Sequence, residues 1–310
     1  MRIIFMGTPE FAIPSLKSIQ KSKHQLLAVV TQPDKPKGRG KKLTPSPVKE
    51  YCLENQVGVL TPMNLKSENF ISELKDLNPD LMVVVAFRIL PETVFTIPPL
   101  GTINLHASLL PKYRGAAPIN WAIFNGEKKT GLTTFFIKKK VDTGDIILQK
   151  ETEIKPEETY GELSQRLSEL GAELILETID LIEKKEVKPL RQDDKEATPA
   201  PKITPELCKI DWSRPATEIK NLIRGLSPAP GAYTTYQGKI LKIFKAQVIN
   251  DTPYSESFGE VISADKNKGL QIKTSKDALR ILELQPQNKK KMKSEEFLRG
   301  YRIRVGDKLE

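Results

Sequence analysis

From residue 2 to about residue 190 the chain alternates between two kinds of segment, and this limits its fold more than any other feature. Val- and Ile-rich runs at 2–6, 25–31, 80–87, 102–106 and 131–138 read as strands, several of them apolar on both faces. Helical stretches at 15–23, 48–55, 67–77 and 117–124 lie between them. Strands buried on both sides and separated by helices specify an α/β domain with a doubly wound, mostly parallel sheet. Leu163, Leu167, Leu170, Leu174, Leu176, Ile179 and Ile182 recur at helical spacing, which predicts a long amphipathic helix over 158–185. Residues 190–205, rich in Pro, Asp, Lys and Ala without a sustained period, read as a linker. Beyond it the pattern changes to one helix at 216–226 and short strands at 232–236, 240–248, 260–264, 270–273 and 280–284. Turn residues separate these strands, so a small, OB-like β-barrel is expected. The predicted organisation is a domain over 1–189 with a basic loop at 34–49, a linker, and a second domain over 206–310.

Charge separates the possible partners. Lys and Arg number 49 against 39 Asp and Glu, a net of +10. The excess is uneven: 206–310 holds 20 bases and 13 acids, and 35–49 holds six bases and no acid. Two basic concentrations on a mildly acidic body point to a polyanion, most simply nucleic acid. Charged residues at 28% exclude a membrane protein, and residues 1–7 are too short an apolar run for a secretory signal. A cytoplasmic, monomeric protein is expected. Cys52 and Cys208 stand far apart, and with only His24 and His106 there is no zinc spacing, so no metal is expected. The first strand runs into Gly7-Thr8-Pro9-Glu10-Phe11, which lacks the glycine spacing of a dinucleotide loop, and Glu10 would repel phosphate. NAD and ATP are therefore not expected.

One polar cluster could carry chemistry. Asn104 and His106 lie two apart in an apolar strand and share a face, with Ile103 and Leu105 filling the other. Asp142, in Val141-Asp142-Thr143-Gly144-Asp145, follows a later strand. An amide, an imidazole and a carboxylate suit acyl transfer to an amine, which needs a donor for the developing oxyanion and a group to take the amine's proton. No G-x-S-x-G elbow occurs and neither cysteine lies nearby, so direct attack by the amine is simpler than a covalent intermediate.

Asn104-x-His106-x-Ser108-Leu109-Leu110-Pro111-x-Tyr113-Arg114-Gly115, with Asp142-Thr143-Gly144, resembles the signature of the 10-formyltetrahydrofolate-dependent formyltransferases. Met6 to Phe11, Gln32 to Pro36 with Gly38 to Lys42, Gly115 to Ile119 and Ile223 to Ala232 are similar to the tRNA-acting branch of that family. The resemblance implies formyl transfer from 10-formyltetrahydrofolate to the α-amine of methionine on initiator methionyl-tRNA, without metal or NAD. It assigns catalysis to Asn104, His106 and Asp142, and folate contact to Ser108, Leu109, Leu110 and Pro111. The pterin pocket would be lined by Phe87, Ile89, Leu90 and Val141. Asn104 and His106 would stabilise the oxyanion and Asp142 would orient His106, with either His106 or Asp142 taking the proton. The basic segments offer Lys35, Lys37, Arg39, Lys41, Lys42, Lys289, Lys290 and Lys291 to tRNA. Rival readings are a formyltransferase for a small amine such as a nucleotide sugar, a hydrolase releasing formate, and an RNA-binding protein on an inactive scaffold.

Overall fold

The computed structural model describes residues 1–37, 40, 42–250, 257–265 and 267–310. The chain divides into two units. One comprises Met1–Pro118, Lys129–Glu153 and Ser164–Pro201; the other comprises Ile119–Lys128, Ile154–Leu163 and Lys202–Glu310. The boundary therefore differs from the sequence reading in two ways. The first unit runs on to Pro201, through most of the expected linker, and two short segments before residue 164 belong to the second unit.

The elements begin with β1 (Arg2–Gly7), α1 (Ile13–Lys21), β2 (Gln25–Val30), β3 (Lys35–Lys37) and β4 (Lys42–Thr44). Then come α2 (Pro47–Glu54), β5 (Val59–Leu60), α3 (Glu68–Asp76), β6 (Leu81–Val85), α4 (Glu92–Phe95) and β7 (Thr102–His106). They are followed by α5 (Pro118–Phe124), β8 (Lys129–Phe136), β9 (Ile146–Glu153) and α6 (Tyr160–Lys184). Seven strands pair in the order β5-β2-β1-β6-β7-β8-β9. All pairs from β5 to β7 are parallel, while β8 is antiparallel to both β7 and β9. Strand order reverses around β1, which is where open α/β sheets form a ligand crevice.

Ile4, Met6, Met82 and Val84 pack on one face with Phe70 and Leu74 of α3 and with Val94 of α4. Alternation sends Ile3, Phe5, Val83 and Val85, all fully buried, to the other face. Helix α6 lies close against β7 at Gly171, where an added Cβ would lie 2.6 Å from Leu105 Cδ2. The apolar face of β7 is thereby closed. The segment 34–49, expected as a basic loop, contains the short β3–β4 hairpin. Its base is tied by Lys49 Nζ, which donates to both Asp34 oxygens at 2.8 and 2.9 Å. Ser46 caps α2 by accepting the Lys49 N–H, with Pro47 at the first helical position.

The second unit adds α7 (Ala216–Gly225), β10 (Ala232–Tyr236), β11 (Lys239–Ile249), β12 (Val261–Asp265), β13 (Gly269–Lys273), β14 (Ala278–Pro286), β15 (Met292–Lys293) and α8 (Ser294–Gly300). Its strands are antiparallel in the order β10-β11-β14-β13-β12, with β15 on β14. Residues 306–310 join the two ends of this path. Val261 N–H donates to the Asp307 carbonyl at 2.8 Å, and Thr235 and Glu310 exchange backbone bonds of 2.6 and 2.9 Å. This segment closes the circuit of hydrogen bonds into a small barrel and removes its exposed edges. Ile219 and Ile223 of α7, Ile243, Leu279, Ile281, Phe297 and Leu309 form the core beneath.

The motif 223–231 is a fold element of this unit. The Arg224 guanidinium is buried and donates to the Glu158 carbonyl at 3.2 Å, and Asn120 Nδ2 donates to the Gly225 carbonyl at 2.7 Å. Among the described residues no helix is long and apolar enough to cross a membrane. Leu309→Ala should cost about 2–5 kcal/mol of stability. It should also speed amide exchange at Thr235 and Val261; unchanged protection there would mean that residues 306–310 do not close the barrel.

Candidate active site

β7 supplies half of the site. Ile103 and Leu105 are buried on the α6 side, and Asn104 and His106 occupy the opposite face. Asn104 is half-buried, and among the described residues its amide makes no side-chain hydrogen bond. His106 is buried, with Nε2 lying 2.8 Å from the Tyr113 carbonyl oxygen. A carbonyl can only accept, so Nε2 carries the proton and the neutral ring has its lone pair at Nδ1. Asp142 Oδ2 lies 3.8 Å from that Nδ1.

Asp142 reaches His106 by doubling back. Because β8 is antiparallel, its end at Phe136 lies opposite Ile103, at the far end of β7 from His106. The loop must therefore fold back sharply. Asp142 itself takes a left-handed backbone with φ 54°, and at Gly144 an added Cβ would lie 1.6 Å from the Phe136 carbonyl oxygen. Only glycine can pass so close. Asp142 Oδ2 then accepts the Gly115 N–H at 2.9 Å. Gly115, at φ 129°, in turn sits against the Ala200 carbonyl, leaving its Cα no room for a side chain.

The group that joins these turns lies where the sequence predicts only a linker. Gln192, inside that segment, is buried. Its amide nitrogen donates to the carbonyls of Asp142 and Gly144 at 3.0 and 2.7 Å. Its amide oxygen accepts from Arg114 Nε and Nη2 at 3.0 and 2.8 Å. Arg114 continues to Asp194 at 2.7 Å, holding that carboxylate below its usual range through a hydrogen bond and its charge. The Arg114 backbone also pairs with Thr198 and Ala200. Residues 192–200 are thus stitched to the motif 113–117. Low periodicity conceals this, since a segment held by side chains and isolated backbone bonds has no repeating pattern to read.

The residues expected around folate fall into two groups. Ser108, fully buried, donates to the Lys112 carbonyl at 2.6 Å, and Leu110 packs with Phe135 and Ile146. Leu90 joins the core beside α4, with Phe87 partly buried against it. These shape the loops from below. Leu109 lies against Gly131, Pro111 is half-buried, and Ile89 and Val141 present large apolar surface to solvent. Arg88 spans to the Pro62 carbonyl at 2.8 Å.

Among the bases, Lys35 and Lys42 are exposed on the hairpin, while Arg39, Lys41 and the side chain of Lys37 lie outside the described residues. Lys289 and Lys290 are exposed, and Lys291 pairs with Glu283 at 2.5 Å and lies over the Phe244 ring. Both cysteines are buried, and burial pushes the Cys52 thiol up to about 11 and Cys208 upward as well. Neither can serve as a thiolate at neutral pH.

The structure thus brings an amide, an imidazole and a carboxylate together on a strand-and-turn scaffold, the kinds of group that acyl transfer to an amine calls for. The profile described as "Formyl transferase" matches residues 1–179, and "Formyl transferase, C-terminal domain" matches 202–302. The chain belongs to the formyl transferase family. It is 50% identical over 308 residues to the methionyl-tRNA formyltransferase of Caldanaerobacter subterraneus subsp. tengcongensis, covering 99% of each chain. It is 48% identical to that of Alkaliphilus oremlandii, covering 100% of this chain and 99% of the other. Its fold is also similar to that of WlaRD, a sugar 3N-formyl transferase, at TM-score 0.67 and 21% identity over 94% of this chain and 99% of the other. Gly144→Ala should displace the Asp142 turn and cost about 1–3 kcal/mol. It should expose the Gly115 amide to faster exchange, and an unchanged rate would show that the turn accommodates a side chain.

Proposed function

We propose that this chain transfers a formyl group from 10-formyltetrahydrofolate to the α-amine of methionine on initiator methionyl-tRNA, in the cytoplasm. The carrying observation is Asp142 Oδ2 set 3.8 Å from His106 Nδ1, beside the half-buried Asn104 amide. Full-length similarity to methionyl-tRNA formyltransferases supports the choice of substrate over a sugar amine. In this reading the amine nitrogen bonds to the formyl carbon and the bond from that carbon to N10 of the folate then breaks. Formyl-methionyl-tRNA and tetrahydrofolate result, and the proton lost by the amine is returned to N10. The Asn104 amide donates to the oxygen that becomes negative.

His106 contributes through Nδ1, because its Nε2–H is committed to Tyr113. Nδ1 either takes the amine's proton or, once protonated, donates to the oxyanion, and Asp142 lies close enough to balance its charge. Asp142 is itself fixed by the Gly115 N–H. The exposed Ile89 and Val141, with the partly buried Phe87, offer apolar surface suited to a planar pterin.

Asn104→Ala, His106→Ala and Asp142→Ala should each lower formylation turnover by about two to three orders of magnitude. A folded variant with near-normal turnover removes that residue from the mechanism. We assign tRNA contact to the basic hairpin and the barrel. Replacing Arg39, Lys41 and Lys42 with Ala should weaken tRNA affinity and leave folate binding unchanged. The logarithmic salt slope of tRNA binding should flatten by about 0.7–0.9 for each phosphate that is no longer neutralised. An unaltered slope would exclude the hairpin from the tRNA interface.

A further inference from the structure

We infer that Gln192 is a positioning residue for the reaction, acting through Asp142. This rests on the formyl-transfer reading above. Gln192 is buried and uses both ends of its amide. The nitrogen bridges the carbonyls of Asp142 and Gly144, two residues apart in the turn that carries the carboxylate. The oxygen receives two N–H bonds from Arg114, the residue immediately before Gly115, whose own N–H holds Asp142 Oδ2. One side chain therefore spans both halves of the clamp on Asp142, the turn behind the carboxylate and the turn in front of it.

The backbone geometry explains why such a brace is needed. Asp142, at φ 54°, and Tyr113, at φ 61°, both occupy the left-handed region without being glycine. Such conformations persist only where surrounding contacts over-determine them. The Tyr113 carbonyl fixes the His106 tautomer, so relaxation of either turn changes the distance between His106 Nδ1 and the carboxylate. Only an amide can donate to the two carbonyls and also accept from the guanidinium. A glutamate keeps the bonds from Arg114 but has no donor for the turn, placing a carboxylate against two carbonyl oxygens. A methionine keeps the length and has neither function.

The test measures formylation of methionyl-tRNA by the wild type and by Gln192→Glu and Gln192→Met, each in the wild-type and Asp142→Ala backgrounds, with folding checked by thermal melting. In the wild-type background kcat should fall by about 10- to 100-fold, the range for removing a supporting hydrogen bond or for a small misplacement. KM for the formyl donor and for tRNA should move by less than about threefold. In the Asp142→Ala background the same substitutions should lower kcat by less than about twofold, because the group they position is gone. Equal fold-losses in both backgrounds, or changes confined to KM, overturn the inference. If Gln192→Met fails to fold, Gln192→Glu, which retains the bonds from Arg114, decides alone. A wild type that does not formylate methionyl-tRNA overturns the formyl-transfer reading and this inference with it. An active wild type with fully active variants overturns the inference alone.

Discussion

A buried imidazole must have both of its nitrogens accounted for, and the site of this protein follows from how His106 meets that demand. Strand β7 buries the ring, and its hydrogen-bonding partners come from elsewhere in the chain. Nε2 takes the Tyr113 carbonyl and Nδ1 faces Asp142. Each partner sits on a turn with its own requirements: a left-handed Tyr113 followed by Gly115, and a left-handed Asp142 followed by Gly144. Both turns then need external support, which the chain supplies from residues 192–200. A polar residue on one strand thereby dictates the conformation of three loops.

Some of the backbone strain lies in the same place. Ala86 after β6, Tyr113 and Asp142 are non-glycine residues at φ 49°, 61° and 54°. Each such residue costs on the order of 1–3 kcal/mol. The sheet meets this cost with buried, largely apolar strands: all five residues of β6 are buried, as are five of the six in β1. A scaffold of that kind can hold strained loops because its own geometry leaves little room for adjustment.

The sheet, its helices and the composition of the barrel are legible in the sequence because burial there is periodic. Strand 102–106 has the ends that its pattern predicts, and the Asn104–His106 face follows from a period of two alone. What is not legible depends on direction or on single contacts. Nothing in the composition of 131–138 announces that β8 runs antiparallel, and that reversal is what makes the Asp142 loop fold back. β9 gives no clear signal because, as an edge strand with alternate residues exposed, it lacks the apolar density of its neighbours. Gln192 is hidden for a related reason, since a glutamine among Pro, Asp and Lys carries no sign that its amide will be buried. The closure of the barrel by residues 306–310 likewise rests on backbone bonds, which side-chain patterns do not encode.

The charge distribution gains a sharper meaning once pairing is known. Net charge counts every base equally, yet attraction to a polyanion depends on cations not already engaged within the fold. Lys49 is bonded to Asp34, Lys291 is held by Glu283 over Phe244, and Lys138 donates to Asp145. These bases stabilise loops, and moving them to a phosphate would first break an ion pair. Lys35 and Lys42 on the hairpin and Lys289 and Lys290 beside the barrel are exposed, without a carboxylate partner among the described residues. They can release counterions at no internal cost. If the basic segments contact tRNA, the salt dependence should therefore arise from these tips, and the paired lysines at their bases should serve to present them.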